Sequence, residues 1–328
     1  VQAKSFEIEN IEISRPFEMN FNKNEVIDEG FHKAFYELTS LIIKSLDKKK
    51  IQKIELNEIK GMVESFTIKE ENFIDQVYYL NLGVSFNKKK VYKFLELKNI
   101  FPSIPKKKKF LFIPIIIDEK NKDLVLYSKN TLFNNWNKYI KSYDLIEYIL
   151  PTEDLEDLNL IKQKYEFIEQ YDFRDITNKY NLEDSIVSLI FINQNEARVL
   201  SRITIKNKTI LKNQSFSKID FKNNQTTKEM IETLKTIYED NWKNYNLINT
   251  SMKYSLMIKI KSSNNSKITQ FEKILKKTDL VYNFYISKFD KNFVYYQIIF
   301  NGTPDIFLKS MAENNYDFNT QNKIWSLK

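Results

Sequence analysis

The sequence has 328 residues, of which 42% are hydrophobic, and it contains 4 glycines, 6 prolines, 1 histidine and no cysteine. This length and apolar content exclude a disordered or fibrous chain and allow two or three hydrophobic cores. The missing cysteines and the single His32 exclude a disulfide scaffold, a thiol nucleophile and the usual zinc sites, and few glycines remain for phosphate-binding loops. The sequence therefore predicts no catalytic, cofactor-binding or metal-binding residues.

The net charge of +8 comes almost entirely from lysine. Base recognition and bidentate phosphate contacts favour arginine, whose planar guanidinium presents several donors at once. An excess of lysine is typical of solvated surfaces encoded by a low-GC genome. Nucleic acid is therefore not the partner that the composition favours.

The apolar runs are too short for a membrane-spanning helix, which needs ~20 apolar residues. The longest run, Phe110 to Ile117, is interrupted by Pro114. The chain begins with Val1-Gln2-Ala3, which fits the small-residue rule at a signal-peptide cleavage site. These features predict a chain without a transmembrane segment that is exported after its leader is removed.

The first predicted domain covers residues 1–103. A short apolar strand from Phe6 to Ile13 is followed by a helix from Asn24 to about Leu46, with apolar residues at helical spacing. A shorter helical stretch near Leu56 follows. Two strands, Val63 to Ile68 and Val77 to Phe86, and a closing helix complete the domain.

The second predicted domain covers residues 104–250. The continuous apolar run from Phe110 to Ile117 is typical of a strand in the centre of a sheet. Further strands are predicted at Ile146–Leu150, Ile186–Ile192 and two segments between 199 and 216, and a long helix from Thr226 to about Tyr245 closes the unit.

The third predicted domain, 251–328, follows the order strand, helix, strand, strand, helix, strand. This order is that of a ferredoxin-like βαββαβ fold. The complete chain is therefore predicted to be α+β, with three consecutive α/β sandwich-type domains, the last of them ferredoxin-like.

The densest carboxylate cluster is Glu153, Asp154, Glu156 and Asp157. Paired carboxylates could serve a hydrolase or lyase, or bind a divalent cation. The same acids also suit the first turn of a helix, where they complement the helix dipole, with Thr152 as the N-cap. The capping interpretation is favoured, and a carboxylate-based enzyme is kept as an alternative.

Aromatic residues alternate along the two adjacent strands of the third domain. With Tyr282, Phe284 and Ile286 directed inward, Val281, Tyr285 and Phe289 are expected to point outward, together with part of the next strand. A nucleic-acid-binding sheet is a second alternative, although the segment Lys291–Tyr296 lacks the glycines of the RNA-recognition signature. The predicted partner-binding residues are Val281, Tyr285, Phe289, Tyr295 and Tyr296, with Lys259 and Lys288 at the rim.

Several short motifs recur in an order that resembles one known family. They are Phe6-Glu7-Ile8-Glu9-Asn10-Ile11, the helix with Gly30, Ala34 and Phe35, Val63-Glu64-Ser65-Phe66-Thr67-Ile68, Tyr79-Leu80-Asn81-Leu82-Gly83-Val84-Ser85-Phe86, Phe112-Ile113-Pro114-Ile115, Trp136, and Pro151-Thr152-Glu153-Asp154-Leu155-Glu156-Asp157-Leu158. Together they resemble the proteobacterial family called domain of unknown function 2066. Leu126-Tyr127 stands where that family usually has a Leu-Trp pair.

The resemblance implies an exported protein of the cell envelope without an assigned activity. It suggests a membrane permease of the autoinducer-exporter type as a partner. The middle domain is also similar to the α/β domain at the start of the translocation protein TolB and of curli-secretion lipoproteins, which binds other envelope proteins. We therefore expect a non-enzymatic periplasmic protein that binds another envelope or inner-membrane protein.

Overall fold

The structure is a computed structural model that describes residues 6–328. The segment Val1-Gln2-Ala3, on which the export prediction depends, lies outside the described residues. By contacts between residues, the described chain up to Pro105 forms one compact unit together with Lys243–Lys328, and Lys106–Trp242 form the other. The predicted boundaries after residues 103 and 250 stay predictions.

The first part of the first unit contains a three-stranded antiparallel sheet and three helices. The sheet has the order β1-β3-β2, so that β3 is central. The elements are β1 (Glu7–Pro16), α1 (Lys23–Ile42), α2 (Leu56–Met62), β2 (Val63–Ile74), β3 (Val77–Phe86) and α3 (Lys88–Leu97), with a 3-10 helix at Ser45–Ile51. All of the predicted elements of this segment are present, and β2 extends six residues beyond its predicted end.

Helix α1 packs on one face of this sheet through its apolar stripe. Ala34 and Leu38 are fully buried, as is Leu82 of the central strand. Gly30 allows the closest approach, because a Cβ at this position would lie 2.4 Å from Cδ1 of Leu82. The helix and the sheet therefore form the predicted two-layer packing.

The second unit contains a six-stranded mixed sheet. The strands follow the order β5-β4-β7-β8-β9, and β6 also pairs with β4. The elements are β4 (Lys108–Asp118), β5 (Asp123–Val125), α4 (Thr131–Asn135), β6 (Ile146–Ile149), α5 (Leu155–Gln163), α6 (Arg174–Thr177), β7 (Ser185–Asn193), β8 (Glu196–Ile205), β9 (Lys208–Ser217) and α7 (Asn224–Tyr245), with short 3-10 helices at Tyr127–Lys129, Trp136–Lys138, Tyr165–Phe167 and Asn178–Tyr180.

Strand β4 lies in the centre of this sheet and is buried from residue 110 to residue 117. Its side chains alternate between two cores, as expected for a strand with helices on both faces. Phe112 stacks on Trp136 at 3.8 Å between ring centroids and faces Tyr238 of α7. Leu111 and Ile113 face the opposite core, to which α5 and α6 contribute. The prediction of a buried central strand is confirmed.

The last segment contains a five-stranded sheet of order β11-β12-β10-β14-β13. Helices α8 and α9 pack on one face, which we call the helix-covered face, and the opposite side is the open face. Buried Phe271 and Leu275 of α8 and Phe307 and Met311 of α9 share one core with this sheet. The elements are β10 (Tyr254–Lys261), α8 (Asn265–Lys277), β11 (Val281–Phe289), β12 (Phe293–Phe300), α9 (Pro304–Ala312), β13 (Phe318–Asn319) and β14 (Trp325–Leu327).

The strands β11, β12, β10 and β14 lie side by side in the ferredoxin-like order, with one difference in the direction of the last strand. In the usual βαββαβ arrangement, the last strand pairs antiparallel with the first. Here the two-residue strand β13 forms an extra reversal, so that β14 pairs with β13 antiparallel and with β10 parallel. The predicted α+β class with sandwich-type domains is confirmed. In the part of the chain from residue 6 onward, no helix has the length and apolarity to cross a bilayer.

Candidate functional site

The predicted partner-binding residues lie on β10, β11 and β12, and two irregularities in β11 decide where each side chain points. The pairing of β11 with β12 shifts between Val281 and Asn283 and again between Ile286 and Lys288. Because side chains alternate faces along a strand, each extra residue in a bulge moves the following side chains to the other face. The residues predicted to point outward are therefore divided among three environments.

Val281 and Tyr296 lie in the core, so their predicted exposure is wrong. Val281 is 1% exposed and is paired with the buried Phe300, and Tyr296 is 0% exposed. The Tyr296 ring contacts Phe271, and its hydroxyl donates to Oε1 of Glu272 at 2.6 Å. Burial is the main cause that raises the pKa of Tyr296, and this hydrogen bond is the second. Both residues stabilise the domain instead of displaying a surface.

Phe289 also points to a different face from the predicted one. It is paired with Val294, whose side chain packs against the core below the helix-covered face. Phe289 is nevertheless 78% exposed, because it lies at the end of the strand. It is therefore separated from Tyr285 by the sheet itself.

The remaining four residues form one surface on the open face. Lys259 of β10 is paired with Tyr295 of β12, which is paired in turn with Lys288 of β11, and Tyr285 is paired with Gln297, the next residue of β12 on the same face. Tyr285 is 51% exposed, and none of the four is buried. We call Lys259, Tyr285, Lys288 and Tyr295 the open-face surface.

Lysines lie over aromatic rings on the open-face surface. The Lys288 ammonium is 5.5 Å from the Tyr295 ring centroid, and the Lys259 ammonium is 4.8 Å from that of Phe293. Such cation–π contacts fix the lysine stems while their charges stay accessible to water. A hydrogen bond with Asp290 raises the pKa of Tyr295. The surface is thus both aromatic and basic.

Two of the carboxylates between residues 153 and 157 converge on one lysine. The Lys179 ammonium lies 2.6 Å from Oδ1 of the buried Asp157 and 3.4 Å from Oδ2 of Asp154. Asp154, and not the predicted Thr152, is the N-cap of α5, and its side chain accepts from the backbone N–H of Glu156 and Asp157. These hydrogen bonds lower the pKa of Asp154. Glu153 accepts instead from the backbone N–H of Ser128 at 2.9 Å. The N-cap prediction for Thr152 is wrong by two residues, and its capping chemistry is confirmed.

Replacing Asp154 by alanine is expected to lower the free energy of unfolding by about 1 kcal/mol, because two helix N–H groups lose their acceptor. The matched variant Thr152→Ala changes an exposed side chain and is expected to alter stability by less than about 0.5 kcal/mol. Urea unfolding followed by circular dichroism measures both. Equal losses would contradict the assignment of the cap to Asp154.

The sequence has two runs of lysines, Lys88 to Lys90 and Lys106 to Lys109, and several of these side chains form contacts within the protein. Lys88 of α3 donates to the carbonyl of Thr278 at 2.7 Å, at the C-terminal end of α8, and Lys90 donates to the carbonyl of Gly61. Burial lowers the pKa of Lys88 to about 8. Lys108 pairs with Glu183 and Asp184. These contacts give the lysines structural roles that the sequence did not indicate.

Each unit also contains a cleft that sequence analysis did not identify. In the first unit, a cleft of about 760 Å³ lies between α3 and β11 and is lined by Lys88, Glu272 and Phe284. In the second unit, a cleft of about 780 Å³ is lined by Arg174 and Arg202. Only spatial proximity brings these distant residues together, so no motif signals them. Residues 6–328 contain no group of three or more His, Cys, Asp or Glu side chains arranged to hold a metal ion.

Comparison with known proteins identifies neither a family model that matches this chain nor a curated protein similar to it. The resemblance to domain of unknown function 2066 therefore stays a prediction from the order of short motifs.

Proposed function

We propose that this chain is a non-enzymatic binding protein of the cell envelope and that its open-face surface contacts another envelope or inner-membrane protein. The observation that carries the proposal is the combination of exposed Tyr285 with Tyr295 and two lysines on one side of a sheet. Aromatic residues with polar tips are enriched at protein interfaces, because they bury a large area and still form hydrogen bonds.

The periplasmic location and the permease-type partner are part of this proposal and derive from the motif resemblance. The basic character of the surface suits a partner with an acidic patch, because opposite charges steer association and select partners. Removal of either lysine is therefore expected to slow association most at low ionic strength.

Two features favour a protein partner over the alternatives. Asp154 caps α5 and shares Lys179 with Asp157, and Glu153 accepts from a loop N–H, so these carboxylates are committed to contacts within the protein, which supports a structural role over hydrolase or lyase chemistry. The open-face surface uses lysine and no arginine, and its Tyr295 ring already has a lysine above it. A single-stranded nucleic acid needs accessible rings for stacking with its bases.

Site-specific photo-crosslinking in intact cells of the source organism tests the proposal. A photoreactive amino acid in place of Tyr285 is expected to capture a defined envelope protein, identified by mass spectrometry. The matched control carries the same group in place of Phe73, which is 57% exposed on β2. Lys259→Glu combined with Lys288→Glu is expected to abolish the adduct at position 285.

Identical adducts from positions 285 and 73 would remove the claim for the open-face surface. Recovery of the chain in the cytosolic fraction of intact cells would remove the periplasmic location. Loss of the adduct only in variants with a lowered thermal midpoint would indicate unfolding, so each charge variant is first compared with the wild type by thermal denaturation.

A further inference from the structure

The hairpin that connects β11 and β12 presents an apolar side chain at its end. Phe289 is 78% exposed at the last position of β11, and Ile286 is 50% exposed on the same helix-covered side of the sheet. Among the residues that the structure describes, no other aromatic side chain is as exposed as Phe289. The tip of this hairpin is thus a separate feature from the open-face surface.

Side-chain hydrogen bonds hold the turn at this tip. The Asp290 carboxylate accepts from the backbone N–H of Asn292 and Phe293 at 2.9 and 2.8 Å, and Ser262 donates through its hydroxyl to the carbonyl of Lys291. These bonds lower the pKa of Asp290 and commit its carboxylate to the turn. Phe289 is therefore presented in a fixed position, which reduces the entropy lost on binding.

Lysines surround this tip. Lys261 and Lys291 are both exposed, and Lys261 lies beside the turn because it is paired with Phe293. The wider segment has the same sign of charge, since residues 251–328 contain 12 lysines, 6 carboxylates and no arginine, an excess of 6 positive charges. Most of the net charge of +8 therefore belongs to this segment.

We infer that the β11–β12 hairpin tip binds the surface of an anionic lipid bilayer, with Phe289 entering the interfacial region and Lys261 and Lys291 contacting the headgroups. A basic cluster near a membrane surface gains about a factor of five in binding per lysine. An apolar side chain that enters the interface adds a further gain that depends little on salt. The attraction between lysines and headgroups and the insertion of Phe289 together hold the protein at the bilayer surface.

The observations favour a bilayer over nucleic acid. The most exposed aromatic ring is a phenylalanine at a hairpin tip, on the opposite side of the sheet from Tyr295, so the two rings cannot form one stacking platform. The charges are lysines, which act as hydrated point charges and do not require the planar geometry with which arginine recognises phosphates. A lipid surface requires no such geometry.

Vesicle flotation of the full chain tests this inference. The chain is expected to bind vesicles in which one third of the lipid is phosphatidylglycerol and the rest is phosphatidylcholine. This binding is expected to fall at high salt, and no binding is expected to vesicles of pure phosphatidylcholine. Phe289→Ser is expected to weaken binding about tenfold, and Lys261→Gln with Lys291→Gln about 25-fold at low salt. The matched control Phe167→Ser removes a phenylalanine that is 68% exposed beside Glu166 and is expected to leave binding unchanged.

Equal binding to neutral and anionic vesicles, or equal effects of Phe289→Ser and Phe167→Ser, would overturn the inference. Absence of binding at low salt would do so too. Salt-sensitive binding of a single-stranded oligonucleotide that is lost in Phe289→Ser, without vesicle binding, would assign the tip to nucleic acid instead. Thermal midpoints within a few degrees of the wild type for all variants establish that the losses do not come from unfolding.

Discussion

Replacing Tyr296 by alanine is expected to lower the free energy of unfolding by about 3–5 kcal/mol, the range for removal of a buried aromatic ring. The ring is fully buried between α8 and the sheet, and the substitution also leaves Glu272 without its hydroxyl donor. Urea unfolding of the full chain, followed by circular dichroism, measures the loss as a shift in the transition of the unit that contains Tyr296.

The matched variant is Tyr285→Ala, on the neighbouring strand. Tyr285 is 51% exposed on the open face, and its removal is expected to change stability by less than about 0.5 kcal/mol. The contrast between two tyrosines that are only one strand apart tests the assignment of Tyr296 to the core and of Tyr285 to the open face. Comparable losses from both variants would mean that the assignment of the two residues to opposite faces is wrong.

Most elements of the fold could be predicted from the sequence, because their apolar periodicity is strong. The run from Phe110 to Ile117 has no polar residue, and such a run is typical of a strand that is buried on both faces of a sheet. Strand β3 alternates without interruption, and α1 has an apolar stripe over five turns. In these elements the local pattern and the tertiary packing agree, so the pattern suffices.

The extra strand β13 could not be predicted in the same way. It has two residues, Phe318 and Asn319, which is too short for a period of two to be recognised. Its presence reverses the chain once more and makes β14 parallel to β10. A pattern that covers two residues cannot determine strand direction, which depends on pairing between segments that are distant in sequence.

The candidate surface could be predicted only in part, and the reason is the pair of bulges in β11. Strict alternation from Tyr282 assigns Phe284 and Ile286 to the helix-covered face, in agreement with their pairing with Ile298 and Tyr296. The same alternation fails at Val281 and at Phe289, on the far sides of the two irregularities. Neither bulge coincides with a glycine or proline, so the sequence carries no signal for it.

Lys88 is a second feature that depends on contacts between distant segments. Its ammonium donates to the carbonyl of Thr278 at the end of α8, 190 residues away in the chain. Burial lowers the pKa of Lys88 from 10.5 to about 8, and the charge of Asp279 opposes that change only in part. The unfolded chain, in which the side chain is hydrated, keeps the higher value.

We expect this difference to make the wild-type chain more stable, relative to Lys88→Met, as pH rises from 7 to 9.5. In that range the unfolded state retains the Lys88 proton while the folded state releases it, so the unfolding free energy increases with pH. With the folded pKa at about 8, the relative gain is about 2 kcal/mol. Comparison with Lys88→Met cancels the opposite effect of the buried tyrosines, such as Tyr92, whose pKa burial raises.

Urea unfolding of the wild type and Lys88→Met at a series of pH values measures the difference directly. Lys89→Met is the matched control, because Lys89 is the next residue of α3 and its side chain is exposed. Its difference from the wild type is expected to stay constant over the same range. A constant difference for Lys88→Met as well would show that the Lys88 ammonium is hydrated in the folded protein, and would contradict its burial against the end of α8.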